Sequence, residues 1–311
     1  MPSIDINLYI SFVMSTMNIE NFIPTNTISL DTVAYNNIEL HILRLDNIHS
    51  IVSGNKFFKL KYNLEEALKK KQKQILTFGG AFSNHIAATA NAAQLMGLQS
   101  VGVIRGEEIS NSTLAFAQEQ GMHLHFVDRA SYKNKTNDNF LKELAKQFGD
   151  FYLIPEGGTN ALAVRGTTEI TNFIPQQYEK IACCVGTGGT IGGLIQNAEN
   201  HQQILGFSAL KGAWINDEIK QWVNKTNWSV NTDYHFGGYA KWKPELISFI
   251  NNFYKQTAIP LDPIYTGKML YGIVDLVNKG EISAENLLII HSGGLQGIEG
   301  FNQRFGNIIE T

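Results

Sequence analysis

From residue 62 the apolar positions along the chain switch repeatedly between two periods. YNLEEALKKK (62–71) spaces its apolar residues for one helix face, and QILTFGG (74–80) is a short apolar run closed by glycines. The first pattern predicts an amphipathic helix, the second a buried strand. SNHIAATANAAQLMG (83–97) opens on two good N-cap residues and stops at Gly97, which again predicts a helix. SVGVIRG (100–106) reads as a strand, NSTLAFAQEQG (111–121) as a helix and HLHFVDR (123–129) as a strand. NDNFLKELAKQFG (137–149) then reads as a helix, and FYLIPEGG (151–158) as a strand with a glycine exit. Strands separated by helices of about 10–15 residues predict βαβ units and a parallel sheet.

A second series follows. It runs as a helix through GTTEITNFIPQQY (166–178), the strand KIACCVG (180–186), the turn GTGGT (186–190), the helix IGGLIQNAEN (191–200) and the strand QILGFSALKG (203–212). Helices near 244–255 and 267–279 precede a last strand, NLLIIHSGG (286–294). The expected fold class is α/β with two lobes, built from parallel or mixed sheets wrapped by helices. The smaller α/β lobe takes 59–158; the larger takes 1–58 plus 159–311.

Composition narrows the partners. With 311 residues, 43% hydrophobic and 17% charged, the chain has ordinary globular composition and enough length for two lobes. A net charge of -3 gives no footprint for nucleic acid or an anionic membrane, and the one basic run, KKKQK (69–73), reads as a solvated helix end. No apolar run approaches the ~18 residues that span a bilayer. The first basic residue is Arg44, so the apolar N-terminal stretch lacks the positive region of a secretory signal, and Met14 or Met17 is a conceivable later start. Cys183 and Cys184 are adjacent in an apolar strand and cannot form a disulfide framework, which fits a reducing cytoplasm.

Several short runs carry candidate chemistry. In SGNKFFKL (53–60), Lys56 lies between a Ser-Gly-Asn turn and two phenylalanines. A lysine near apolar surface has a lowered pKa and becomes a nucleophile, whereas the plainer reading is a loop-to-helix junction. VGTGGTIGG (185–193) is a glycine turn between strand and helix, suited to a phosphate. A dinucleotide is disfavoured, because the glycine spacing is one residue too long and the next strand ends SALKG with no acid. FGGAFSNH (78–85) ends a strand with Gly-Gly and opens a helix with Ser83 and Asn84, beside His85; LDPIYTGK (261–268) and HSGG (291–294) complete the set. His123 and His125 share a strand face without a third ligand, and His201 and His235 read as surface residues. A phosphate cradle and a nucleophilic lysine together suit a phosphorylated aldehyde, and pyridoxal phosphate is that cofactor.

Taken in order, SGNKFFKLKYNL (53–64), FGGAFSNH (78–85), IPEGGTNA (154–161), GTGGTIGGL (186–194), LDPIYTGK (261–268) and HSGG (291–294) resemble a known family. It is the 1-aminocyclopropane-1-carboxylate deaminase/D-cysteine desulfhydrase family of fold-type-II pyridoxal-phosphate enzymes, with a tryptophan-synthase-β-like fold. The resemblance implies that Lys56 carries the cofactor and acts as the base at Cα, and that Asn84 binds the ring hydroxyl. Ser83 would bind the substrate carboxylate or assist catalysis. Gly186, Thr187, Gly188, Gly189 and Thr190 would hold the phosphate, helped by Lys59, while Tyr265 and Tyr239 would face the substrate.

In that pattern the deaminases place a glutamate where this chain has Thr266, and a leucine where it has Ser292. Both replacements resemble the desulfhydrases, and a neutral hydroxyl near the pyridine nitrogen suits β-elimination. The resemblance thus implies a cytoplasmic homodimeric lyase acting on a small amino acid, D-cysteine first. 1-Aminocyclopropane-1-carboxylate is the alternative, and a non-catalytic cofactor-binding protein the alternative outside enzymes. SGNK in place of GGNK, His85 in place of glutamine and Arg165 in AVRG (163–166) depart from the pattern in ways that bear on the pocket.

Overall fold

A computed structural model of the chain describes residues 22–311. The questions of a leader and of a start at Met14 or Met17 lie outside the described residues. Two sheets organise the fold. Strands β1 (Ser29–Tyr35) and β2 (Ile38–Arg44) form a hairpin, and α1 (Asn55–Lys69) follows. The smaller sheet comes next: β3 (Gln74–Gly80), α2 (Asn84–Leu95), β4 (Gln99–Arg105), α3 (Ser112–Glu119), β5 (Met122–Val127), α4 (Arg129–Tyr132), α5 (Asp138–Phe148) and β6 (Tyr152–Ile154). Beyond it lie α6 (Ala161–Thr168), β7 (Lys180–Val185), α7 (Gly189–Asn197), β8 (Gln203–Ser208), α8 (Ile215–Lys220) and β9 (Trp228–Asn231). Last come α9 (Pro244–Thr257), α10 (Thr266–Asn278), β10 (Leu287–His291) and α11 (Gln296–Phe305).

The larger sheet has the order β1-β2-β10-β7-β8-β9 and the smaller β5-β4-β3-β6. All pairings are parallel except the β1–β2 hairpin. That hairpin was not expected from the sequence. Its turn is Asn36-Asn37, both at positive φ (48° and 64°), which asparagine tolerates better than most residues.

Two element readings shift. The first helix begins at Asn55 rather than near residue 62, and the helix read over 166–178 begins at Ala161 and gives way to a 3-10 turn after Thr168. Asn160 explains that earlier start, because its side chain caps the helix by accepting from Ala163 N–H at 2.9 Å. The lobe boundary expected at residue 59 therefore falls inside α1. That helix packs on α6 and α7 and buries Phe58, Leu60 and Leu64 in the core beside β7. Close approach makes this possible: a Cβ on Gly166 of α6 would stand 2.0 Å from the Phe58 carbonyl oxygen. We propose that the small lobe is the unit built on the β3–β6 sheet, with α1 belonging to the larger one.

In a parallel sheet the loops after the strands gather on one side, and ligands bind there. Here β3, β4, β7 and β10 end at Gly80, Arg105, Val185 and His291, and each end or the residue after it reaches one cavity.

Candidate active site

The cavity between the two sheets has a volume of about 350 Å³. Lys56, Lys59, Ser83, Asn84, the 186–190 turn, Tyr239, Tyr265 and Ser292 all line it. The structure thus brings together residues that are up to 236 positions apart in sequence (292 − 56).

Lys56 is held by the start of α1. Gly54 adopts φ 63°, and Asn55 N–H donates to the Ser292 carbonyl at 3.1 Å, tying the helix to the end of β10. The Lys56 amine donates to Asn55 Oδ1 at 3.2 Å, and Asn55 Nδ2 in turn donates to Thr190 Oγ1 at 2.8 Å. The amine lies deep in the molecule yet opens on the cavity. Burial pulls its pKa down to about 8, against the opposing influence of Asp262 and Cys184.

Three residues on, about one helical turn away, Lys59 Nζ donates to Gly157 O (2.6 Å), Thr159 Oγ1 (2.9 Å) and Thr187 Oγ1 (3.4 Å). Burial first, and the neighbouring Lys56 charge second, hold its pKa well below the ordinary lysine value. The glycine turn stands beside it. Gly188 is left-handed (φ 82°) and caps α7, while a Cβ on Gly189 would meet Lys59 Cε at 2.8 Å. Backbone N–H groups at the start of a nine-residue helix, with a lysine alongside, make a site for a phosphate.

Opposite lies Asn84 at the start of α2. Its Oδ1 is buried and has no hydrogen-bond partner, so a ligand donor is wanted there. Ser83 caps the same helix, its Oγ accepting from Ile86 N–H at 3.4 Å. Tyr239 and Tyr265 meet edge to face, with centroids 6.3 Å apart. Burial holds Tyr265 well above the usual phenol range and pushes Tyr239 up to about 12, so both remain neutral donors. Amine, phosphate turn and orphaned Asn84 oxygen fit the three polar handles of pyridoxal phosphate: aldehyde, phosphate and ring hydroxyl.

Asp262 explains the D-P-x-Y-T run. Its Oδ1 accepts from Ile264 and Tyr265 N–H, both at 2.8 Å, and its Oδ2 from Thr266 N–H at 2.9 Å. The last two belong to the open N-terminal end of α10, and satisfying them fixes Tyr265 just before the helix. Thr266 requires a correction. Its hydroxyl accepts from Asp262 N–H at 2.9 Å and donates to Asp262 Oδ2 at 2.7 Å, and it is no part of the cavity wall. Ser292, by contrast, does line the cavity. Thr266→Val removes that hydroxyl and orphans a buried N–H, which costs about 1–3 kcal/mol. The apparent thermal midpoint should fall by roughly 2–10 °C, with the cofactor spectrum unchanged, in a melt and an absorbance scan of the two proteins.

Arg165 also departs from expectation. It is exposed and stacks over Tyr62 with its guanidinium carbon 4.2 Å from the ring centroid, away from the cavity wall. His85 is buried and lines the cavity. Thr77 donates to Ile154 O and so accepts from His85 Nε2 at 2.8 Å, which leaves Nδ1 as the unprotonated nitrogen. Burial and the two lysines hold its pKa well below the usual value, so it is neutral. His123 and His125 pack against Phe148.

Arg105, Glu156, Asn55 and Cys184 are among the wall residues that sequence reasoning missed. Arg105 ends β4 and lies over the Tyr132 ring at 5.5 Å; Glu156 follows β6 and pairs with Lys135 at 3.3 Å. Asn55 bridges lysine and phosphate turn. Cys184 faces the cavity while Cys183 faces the opposite core, as strand alternation requires, and burial pushes both thiols up. For Arg105 and Cys184 the sequence offered position alone: each stands at or next to the carboxyl end of a parallel strand, with nothing to mark which way its side chain points.

Fold and cavity together define a pyridoxal-phosphate enzyme, and a family model described as "Pyridoxal-phosphate dependent enzyme" matches residues 20–293. A putative 1-aminocyclopropane-1-carboxylate deaminase of Pyrococcus abyssi is 31% identical over 84% of this chain and 86% of its own length. The D-cysteine desulfhydrase of Klebsiella pneumoniae is 27% identical over 82% of this chain and 87% of its own. A crystal structure of an ACC deaminase homologue superposes with a TM-score of 0.82 at 24% identity, covering 99% of this chain and all (100%) of that one. The chain belongs to the 1-aminocyclopropane-1-carboxylate deaminase/D-cysteine desulfhydrase family of pyridoxal-phosphate enzymes, and its fold is the fold-type-II architecture.

Proposed function

We propose that this chain releases ammonia from a small amino acid by α,β-elimination, with D-cysteine as the favoured substrate. The observation that carries the reading is the single cavity holding a buried amine, a phosphate turn and the orphaned Asn84 oxygen. Lys56 would hold pyridoxal phosphate, Asn84 its ring hydroxyl, Ser292 its ring nitrogen, and Gly186–Thr190 with Lys59 its phosphate. When bound, that cofactor supplies an electron sink for the substrate's Cα–H electrons. Lys56 takes the Cα proton, for which an amine with pKa about 8 is suited near neutral pH. Ser83 and the start of α2 would orient the substrate carboxylate, and Arg105 adds positive potential at the cavity wall. Tyr265 and Tyr239 stay protonated and donate to the substrate or its departing group. The balanced reaction takes D-cysteine and water to pyruvate, ammonia and hydrogen sulfide.

Ser292 supports this choice, because a neutral hydroxyl leaves the ring nitrogen less cationic than a carboxylate would. Ring opening of 1-aminocyclopropane-1-carboxylate to 2-oxobutyrate and ammonia is the second reading. It is favoured by the naming of the 31% identical relatives and by the bifunctional relative of Arabidopsis thaliana, 28% identical over 85% of this chain. A panel of D- and L-amino acids plus the cyclopropane, scored for pyruvate, 2-oxobutyrate, sulfide and ammonia, separates them. Pyruvate and sulfide from D-cysteine at the highest kcat/KM is the expected result. Normal cofactor binding with no product from any substrate would instead mark a non-catalytic binder.

The amine also predicts a pH dependence. A lysine reacts with an aldehyde as the free base, so uptake of the cofactor by cofactor-free protein should accelerate as pH rises through about 8 and level off above it. An acceleration that continues toward the ordinary lysine range, ~10.4, would contradict the burial argument.

Among the described residues no helix is long and apolar enough to cross a membrane, and both cysteines are unpaired. These support a reducing, cytoplasmic setting, and assembly as a homodimer follows from the family resemblance.

A further inference from the structure

Lys268, the last residue of the LDPIYTGK run, has no part in the reading above, yet it is a buried cation. It lies in the first turn of α10, three residues after Tyr265. Its ammonium donates to two backbone carbonyls, His235 O at 2.9 Å and Gly238 O at 2.8 Å. Both belong to the turn that immediately precedes Tyr239. A buried lysine is costly unless its charge is bonded, so a cation kept here needs a purpose.

The turn it binds is an uncommon one. Phe236 (φ 54°), Gly237 (φ 98°), Gly238 (φ 115°) and Ala240 (φ 54°) all sit at positive φ. For Phe236 and Ala240 that conformation is unfavourable, and it persists only where the surroundings over-determine it. Locally, Gly237 N–H donates to His235 Nδ1 at 2.8 Å, Gly238 N–H to His235 O at 3.0 Å and Lys241 N–H to Gly238 O at 3.1 Å. Phe236 packs edge-on against Tyr271 of α10 at 5.0 Å. Lys268 reaches the same two carbonyl oxygens from outside and bridges the start of the turn to its end. The charge that supports its ammonium is Asp262, the residue that caps α10 beneath Tyr265.

We propose that Lys268 is a positioning residue: its ammonium ties the 235–238 turn to the first turn of α10 and thereby sets Tyr239 against Tyr265 at the cavity. The proposal rests on the reading of those two tyrosines as part of the reaction site. One helix start then places both phenols, Tyr265 through Asp262 and Tyr239 through Lys268. Methionine matches the lysine stem but cannot donate. The two carbonyls keep their backbone donors, so Lys268→Met should fold.

The test combines amide hydrogen exchange of the cofactor-free and loaded protein with steady-state kinetics and cofactor titration, for Lys268→Met, Lys268→Gln and Tyr239→Phe. In Lys268→Met, exchange across 235–241 should rise by about tenfold or more while the β-strands stay protected. Its kcat should fall by about tenfold or more, with cofactor affinity within about twofold of wild type. Lys268→Gln, which keeps a donor, should lie between, and it carries both readouts if the methionine variant does not fold. Unchanged exchange at the turn, or cofactor affinity falling in step with kcat, would overturn the proposal. So would full turnover in Lys268→Met alongside a loss in Tyr239→Phe. A wild type that turns over no substrate defeats the functional reading instead, and the exchange comparison still decides the clamp.

Discussion

Lys56→Ala should lose the visible absorbance of the bound cofactor and at least about 10³-fold of the elimination rate. The reason is chemical and separable from folding. The one side-chain hydrogen bond of Lys56 runs to its neighbour Asn55, and α1 owes its position to Gly54, the Asn55 N–H and the buried Phe57, Phe58 and Leu60. Alanine suits a helix better than lysine does, and the substitution removes an amine that burial penalises. The variant should therefore melt at or above the temperature of cofactor-free wild type while failing to retain cofactor. Absorbance, melting and pyruvate release measured on one preparation check all three statements. A variant that keeps both its colour and its turnover would mean that another residue carries the reaction.

Gly54→Ala should be the most damaging single methyl group in the site. Gly54 has φ 63°, and a Cβ there would stand 1.9 Å from the carbonyl oxygen of Ser292. That oxygen also accepts the Asn55 N–H, so the clash falls on the joint between α1 and β10. Relief requires moving the helix that carries Lys56 or the strand end that carries Ser292. Strain plus the lost joint should cost on the order of 3 kcal/mol or more, lowering the apparent midpoint by roughly 6–12 °C. Cofactor affinity should drop by about tenfold or more as well, since each 1.4 kcal/mol of misplacement is a factor of ten. Gly97→Ala supplies the control, because Gly97 has a similar φ of 68° but nothing within 4 Å of the added carbon. That variant should lose only the left-handed penalty, about 1–2 kcal/mol. Equal losses in the two proteins would show that the close approach at Ser292 is unimportant.

The residues legible in the sequence share a property: each lies where a local pattern marks a backbone event. Gly188 and Gly189 mark a turn into a helix, Ser83 a cap and Asp262-Pro263 a helix start, and the side chains beside such events are where open α/β sheets bind ligands. Lys56 became credible only through these distant partners. Residues whose role depends on the direction of a side chain were less legible. Cys184 sits in a strand that is apolar after Lys180, where a run of buried positions hides which face meets a cavity. Arg105 ends β4 and Glu156 follows β6 in the small sheet, and both gain meaning only from the packing of that sheet against the larger one.

Thr266 shows the opposite failure. A family pattern assigned it to the cofactor, but a threonine four residues after an aspartate can satisfy that aspartate's own N–H and carboxylate, and here it does. The β1–β2 hairpin escaped notice because its turn is Asn-Asn, without the glycine that usually announces one.

The central claim is that Lys56, in this cavity, is the amine that bears the cofactor. The most direct measurement is borohydride reduction of the loaded protein, followed by digestion and mass spectrometry of the peptides. One phosphopyridoxyl group per chain on Lys56, absent when substrate is added before the reductant, is the result expected. A label on Lys59 or any other lysine, or no label on protein that retains its cofactor, would contradict the account.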